Sequence, residues 1–188
     1  MQKTDLSKYN NDWYKQSDLT RNFFISVIWY ISNAIFINSY LLIPTSIKVF
    51  ILRLFGAKIG RNITMKPNIN IKAPWNLEIG NNVWIGEETW IDNLGKVEIR
   101  DNVCLSQGSM LLSGNHDFKT ETFDLIIKDI ILEEGVWIGA KSVVCGGVTC
   151  HSHAVLSVNS VATKSLIAYG IYQGNPAQLI RQREITIR

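Results

Sequence analysis

The chain has 188 residues, room for one domain and a small appendage. With 46% hydrophobic and 19% charged residues it can build a packed core, which excludes a disordered chain. A net charge of +3, with the basic residues scattered rather than run together, excludes a binder of nucleic-acid backbones and leaves a mild preference for anionic substrates or a membrane surface.

Residues 1–20 are polar and lack the short apolar core and small-residue cleavage site of a secretory signal. Residues 22–47 then contain no Asp, Glu, Lys or Arg. From Asn22 to Ile43, 16 of 22 positions are apolar or aromatic, a length that invites a membrane span. Asn22, Ser26, Ser32, Asn33, Asn38 and Ser39 interrupt the run without collecting on one helical face, and Pro44 breaks it. A second apolar stretch, residues 47–55, carries Lys48 and Arg53. The pattern predicts two short helices. They pack on the rest of the protein or a partner subunit, or make peripheral membrane contact through residues 22–55. We divide the chain at residue 55: a polar arm with apolar helices over 1–55, and a second region over 56–188.

In that second region apolar residues recur every six positions. The blocks are Ile79, Ile85, Ile91; Ile99, Leu105, Leu111; and Leu132, Ile138, Val144, Cys150, Leu156, with Ile59 standing apart. Three places after the apolar residue stand Asn62, Asn82, Asn102 and Asn159, or Gly108, Gly114, Gly135 and Gly147. Asn and Gly tolerate positive φ, so this is a turn position. The next place holds small or β-branched residues except at Asn115. A helix does not place one apolar residue every six positions, and a hairpin meander needs alternation within longer strands. Short strand, turn and short strand at fixed pitch is the pattern of a parallel β-helix, whose coils bury their apolar ladder only by stacking.

The register breaks twice. From Ile91 to Ile99 the step is eight, and from Leu111 to Leu132 it is 21. A loop thrown out of a regular solenoid is a natural place for function. The second break holds His116, one of three histidines; His151 and His153 lie within a regular coil and read as exposed corner residues rather than a metal pair. The cysteines, Cys104, Cys145 and Cys150, are odd in number with no Cys-x-x-Cys spacing, which points to free thiols in a reducing cytoplasm.

These segments resemble the left-handed β-helix, hexapeptide-repeat acyltransferases: GNHDFKTETFD (114–124), EEGVWIGAKSVVCGGVTC (133–150), NSVATKS (159–165) and GNPAQLIR (174–181). LRLFGAKIG (52–60), IDNLGKVEI (91–99) and FDLI (123–126) are similar to the colanic-acid-type exopolysaccharide O-acetyltransferases. The resemblance implies an all-β, left-handed parallel β-helix with an N-terminal helical appendage, an acetyl-CoA co-substrate, no metal, and a homotrimer with active sites between subunits.

It also implies residue roles. His116 matches the family's catalytic base, and an imidazole is suited to take the proton of an attacking hydroxyl. Asn93 stands near the place of an acceptor-contacting Asn; Asp92 beside it and Asp117 after the base are further acceptor-side candidates, and each is also suited to a turn. For coenzyme A the matching positions are Trp137, Ala140, Val158, Thr163, Lys164 and Arg181. Lys164 and Arg181 suit its anionic nucleotide end, while Gln178 stands where a second basic residue is common. The expected reaction is direct acetyl transfer to a saccharide hydroxyl. An N-acetyltransferase of an amino-sugar nucleotide has the same fold and base, and a non-catalytic β-helix binding module needs no base. Trp75, Trp84 and Trp90 suit a sugar-stacking platform or a subunit interface.

Overall fold

The computed structural model describes residues 3–186. From Lys58 onward, two- and three-residue strands wind into three parallel sheets around one core. Strands at Lys58–Ile59, Leu77–Ile79, Val97–Ile99, Ile130–Leu132 and Thr149–Cys150 form the first sheet. Those at Thr64–Met65, Trp84–Ile85, Cys104–Leu105, Trp137–Ile138 and Val155–Leu156 form the second, and those at Asn70–Ile71, Trp90–Asp92, Met110–Leu112, Val143–Cys145 and Val161–Ala162 the third.

The hexad residues are the rungs. Ile85 pairs with Leu105, Leu105 with Ile138 and Ile138 with Leu156, all fully buried. Such stacking removes each side chain from water on every side, at about 25 cal/mol per Å² of apolar surface. Two sequence expectations are revised. Ile59 does not stand apart, because Met65 and Ile71 continue its register and pair with Ile85 and Ile91. The eight-residue step also occurs twice, since the corner from Ile71 to Ile79 makes the same excursion through a 3-10 turn at Pro74–Asn76.

The expected turn position takes left-handed backbone at Asn62, Asn82, Asn102, Asn159, Gly108, Gly135 and Gly147. The three stacked asparagines bond side chain to side chain: Asn62 Nδ2 donates to Asn82 Oδ1 at 3.0 Å, and Asn82 Nδ2 to Asn102 Oδ1 at 3.2 Å. Gly114 departs from the pattern, because it opens a hairpin strand instead of closing a turn. Thr89, Ser109, Ser142 and Ser160 fill the insides of corners and are fully buried.

Before the solenoid the chain is helical: α1 (Asp12–Lys15), α2 (Phe23–Ser32) and α3 (Thr45–Leu54). The Asn22 side chain caps α2 by accepting from Ile25 N. The helix then widens into a π turn over Asn33–Ile37, and Pro44 sets the start of α3. Gly56, at φ +98°, ends α3: Gly56 N donates to Arg53 O and Ala57 N to Leu52 O, a Schellman motif. Trp29, Ile37 and Leu52 join the solenoid core and cover its open first coil. Trp29 Nε1 donates to Ile71 O at 3.1 Å and Lys72 O at 3.0 Å. Lys48 is buried with its ammonium on Lys66 O at 2.8 Å, and desolvation pushes its pKa down. At the other end an antiparallel ribbon, Gly170–Gly174 with Ala177–Gln182, continues the second sheet.

No helix among the described residues is long and apolar enough to cross a membrane. The outer sides of α2, the following turn and α3 stay apolar and exposed, with Phe24, Leu42 and Phe50 at 76%, 90% and 66%.

Candidate active site

One corner column of the solenoid, between the third and first sheets, carries every irregularity described so far. In the first two coils it holds the eight-residue excursions; in the third it throws out the His116 loop, residues 113–128; in the fourth it closes tightly at Gly146 and Gly147. The loop is a hairpin, Gly114–His116 against Leu125–Ile127.

His116 is held from three sides. Its Nδ1 lies 2.9 Å from the Phe123 carbonyl oxygen. A carbonyl only accepts, so Nδ1 carries a proton, and in the neutral ring Nε2 is the nitrogen that can accept one. The Phe123 ring stacks on the imidazole at 4.4 Å and 7°, and Tyr9 leans on it at 5.6 Å. Phe123 sits at φ +52°, a conformation that costs a bulky residue energy and aims its carbonyl inward. Neither Phe123 nor Tyr9 was assigned from sequence. Phe123 lay within the FDLI segment without a role of its own, and nothing local connects Tyr9 with a residue 107 positions away.

The arm that brings Tyr9 also straps the loop. Asp5 N donates to Glu121 O at 2.9 Å, and Lys8 pairs with Glu121 at 2.7 Å. Farther along, Tyr14 Oη reaches Leu94 O at 3.4 Å, and Leu19 O accepts from Trp75 Nε1 and Asn76 Nδ2. Trp75 is therefore part of the arm's seat, whereas Trp84 and Trp90 lie exposed on the second and third sheets. Burial and the nearby Asp92 carboxylate push the Tyr14 phenol up to about 12.

One of the expected acceptor contacts is corrected. Asn93 is fully buried; its Oδ1 accepts from Ala73 N at 3.0 Å and its Nδ2 donates to Ala73 O at 2.6 Å, so both ends of the amide are spent on tying consecutive coils together. Asp117, half-buried beside the base candidate, caps its own turn, accepting from Lys119 N at 3.0 Å. Asp92 differs. Lys72 Nζ is 3.0 Å from its Oδ1, a charge contact without hydrogen-bond alignment, and that buried oxygen has no hydrogen-bond partner among the described residues.

Of the positions expected to meet coenzyme A, Trp137 lies on the second sheet and Ala140 and Val158 in the corner after it, whereas Thr163 and Lys164 follow the third sheet, in the corner column of the His116 loop. Trp137 is half exposed and donates from Nε1 to Ser106 Oγ at 2.9 Å. Ala140 and Val158 stack in consecutive coils, with Asn159 N donating to Ala140 O at 2.9 Å. A Cβ at Gly139 would meet Val158 N at 2.6 Å and Leu156 O at 2.7 Å, so this corner is lined by bare backbone. Thr163, Lys164 and Arg181 are exposed, the last on the C-terminal ribbon. The width of the third sheet, about 15 Å for five extended residues, separates Trp137, Ala140 and Val158 from the His116 corner within one chain.

The thiols are poor nucleophiles. Burial raises the pKa of Cys104 and Cys145 and pushes Cys150 up to about 12. Among the described residues no group of His, Cys, Asp and Glu is arranged to hold a metal ion.

No family model matches the chain. It is 37% identical over 136 residues to the provisionally named colanic acid biosynthesis acetyltransferase WcaF of Escherichia coli K12, an alignment spanning 72% of this chain and 75% of that protein. The Shigella flexneri protein of the same name matches to the same extent. In fold it is similar to a galactoside acetyltransferase solved with coenzyme A (TM-score 0.77, 21% identity, 89% of this chain and 86% of that one). A maltose O-acetyltransferase from Clostridium difficile 630 is similar as well (TM-score 0.75, 22% identity, 87% and 90%). The chain belongs to the hexapeptide-repeat, left-handed β-helix family of acetyl-CoA-dependent acetyltransferases, in its colanic-acid type.

Proposed function

We propose that this enzyme moves the acetyl group of acetyl-CoA to a hydroxyl of a saccharide in exopolysaccharide- or capsule-type biosynthesis, with His116 as general base. The observation that carries this reading is the Phe123 carbonyl on His116 Nδ1, which leaves Nε2 as an oriented proton acceptor. The acceptor hydroxyl gives its proton to Nε2 as its oxygen attacks the thioester carbonyl. The C–S bond then breaks and the imidazolium returns the proton to the thiolate of coenzyme A. The raised cysteine thiols support direct transfer over an acyl-enzyme. On the acceptor side Asp92 acts by holding Lys72.

On the donor side, the bare corner at Gly139, Ala140 and Val158 suits a pantetheine arm, with Trp137 beside it and Thr163, Lys164 and Arg181 toward the nucleotide phosphates. The separation of Trp137, Ala140 and Val158 from His116 within one chain favours a homotrimer in which neighbouring subunits supply the base and the pantetheine corner. In this reading the enzyme works in the cytoplasm at the inner membrane surface, resting Phe24, Leu42 and Phe50 against lipid. Vesicle flotation tests that contact: the triple Ser variant loses flotation, and retained flotation counts against it.

The activity itself is tested by His116→Ala. With acetyl-CoA and a saccharide acceptor, kcat falls by about 10²–10⁴ while acetyl-CoA binding is kept. Undiminished turnover would overturn the assignment.

A further inference from the structure

The N-terminal arm is fastened to the corner column of the catalytic loop at each of its first three coils. Leu19 O accepts from Trp75 Nε1 at 2.9 Å and from Asn76 Nδ2 at 2.8 Å, in the first eight-residue excursion. Tyr14 Oη donates to Leu94 O at 3.4 Å, in the second. Asp5 N donates to Glu121 O at 2.9 Å, in the His116 loop. Tyr9 stands between the last two anchors. Asp5 also shapes the turn that presents it. The Asp5 carboxylate accepts from Ser7 N at 3.1 Å and caps a single 3-10 turn over Leu6–Lys8, which Tyr9 N closes on Leu6 O. The half-buried Tyr9 ring then meets the His116 imidazole at 5.6 Å, tilted by 58°.

His116 has a geometric need for this contact. The bond from Nδ1 to Phe123 O fixes one point of the imidazole, and the Phe123 ring, nearly parallel at 4.4 Å, covers one face. Both come from the hairpin that carries His116, so both move with it. A ring hung on one hydrogen bond can still pivot about it and away from the stacked face. Tyr9 is tied to coils outside the hairpin, and it meets the imidazole from a side that Phe123 does not fill. A base that takes a proton from an attacking hydroxyl works at hydrogen-bond distance, where a misplacement of about 1 Å costs roughly a hundredfold.

We propose that Tyr9 is a positioning residue for acetyl transfer: delivered by the anchored arm, its ring holds the His116 imidazole on the Phe123 carbonyl, so that Nε2 faces the acceptor hydroxyl. The proposal rests on the reading of His116 as the base. The two eight-residue excursions then have a use. The same corner closes tightly at Gly146 and Gly147 in the fourth coil, so the solenoid does not require them. Their Trp75 indole, Asn76 amide and Leu94 carbonyl are the seats of the arm.

Kinetics of the full-length enzyme with acetyl-CoA and a saccharide acceptor test the role, together with NMR of the isotope-labelled histidine rings in the absence of substrate. Tyr9→Ala lowers kcat by roughly tenfold to a hundredfold and leaves the KM of acetyl-CoA unchanged. Tyr9 lies outside the solenoid core, so this variant keeps the fold, read as retained acetyl-CoA binding. Tyr9→Phe restores kcat, because the ring and not the hydroxyl makes the contact. In the neutral ring of the parent the proton sits on Nδ1, and in Tyr9→Ala the His116 signals move toward a mixture of the two tautomers. A Tyr9→Ala enzyme with the parent's kcat would overturn the proposal. An equal loss in Tyr9→Phe would do the same by assigning the effect to the hydroxyl, and so would a raised acceptor KM at full kcat, which makes Tyr9 an acceptor contact. Full turnover in His116→Ala, with the tautomer shift of Tyr9→Ala still seen, keeps the ring contact and sinks the reading of His116 as base instead.

Discussion

The same apolar residue types fare differently in the coils and in the helices before them. Ile85, Leu105, Ile138 and Leu156 stack one per coil and are fully buried. In α2, α3 and the turn between them, Trp29, Ile37 and Leu52 are equally buried, whereas Phe24, Leu42 and Phe50 stand in water. A rung has neighbours above and below, fixed by the coil period. A helix laid over the end of a solenoid has a neighbour on one side only. Apolar content therefore reports burial in the periodic region, and in the capping region it divides between a buried side and an exposed one.

The sharpest way to break this comparison is to cut a rung. Leu105→Ala costs about 2–5 kcal/mol, read as a lowered denaturation midpoint, because stacked coils on both sides keep the cavity from collapsing. A loss below 1 kcal/mol would mean that the rungs are not tightly packed. Asn93→Ala comes next at about 1–3 kcal/mol, since it strands the Ala73 N–H and carbonyl in a buried corner. A fully stable variant with damaged acceptor KM would instead restore Asn93 to the acceptor side. Leu42→Ser, chemically as drastic as the rung mutation, shifts stability by no more than roughly 0.5 kcal/mol. A large loss there would show that the exposed face is covered by a partner subunit.

The smallest effect is spectroscopic and concerns the arm. The Tyr14 phenol is raised to about 12 in the folded chain, against about 10 when unfolded. Between these values the unfolded state gives up a proton that the folded state keeps, so stability falls as pH rises from about 10 to about 12. In an ultraviolet absorbance titration Tyr14→Phe removes the late-titrating phenol and flattens that slope. An unchanged titration would mean that the arm does not pack against Asp92.

Much of the solenoid was legible because its signal repeats. Period, turn residue and corner residue agree coil after coil, so isolated exceptions such as Gly114 do not hide the pattern. The first coil was read less well: Met65 and Ile71 were not joined to Ile59, and the excursion at Pro74–Asn76 went unnoticed although it repeats the one at residues 92–98. In the candidate site His116 was legible as the histidine standing where the register fails. Asn93 was misread because the same amide that suits a hydroxyl ligand also suits a backbone, and sequence does not say which lies opposite.

By itself, then, the sequence determined the parallel β-helix, the corner that departs from it and the histidine that departure carries. These follow from spacing along one chain, where the physics is local: a turn that accepts positive φ, and a rung that must be dry. Only the tertiary structure decided that Phe123 turns its carbonyl onto His116, that Tyr9 closes on the ring from the far end of the chain, and that Asn93 belongs to the fold. It also decided that α2 and α3 bury one side and leave the other bare. Each of these depends on which groups meet across large sequence separations, and a hydrogen bond or an aromatic contact leaves no periodic trace of its partner.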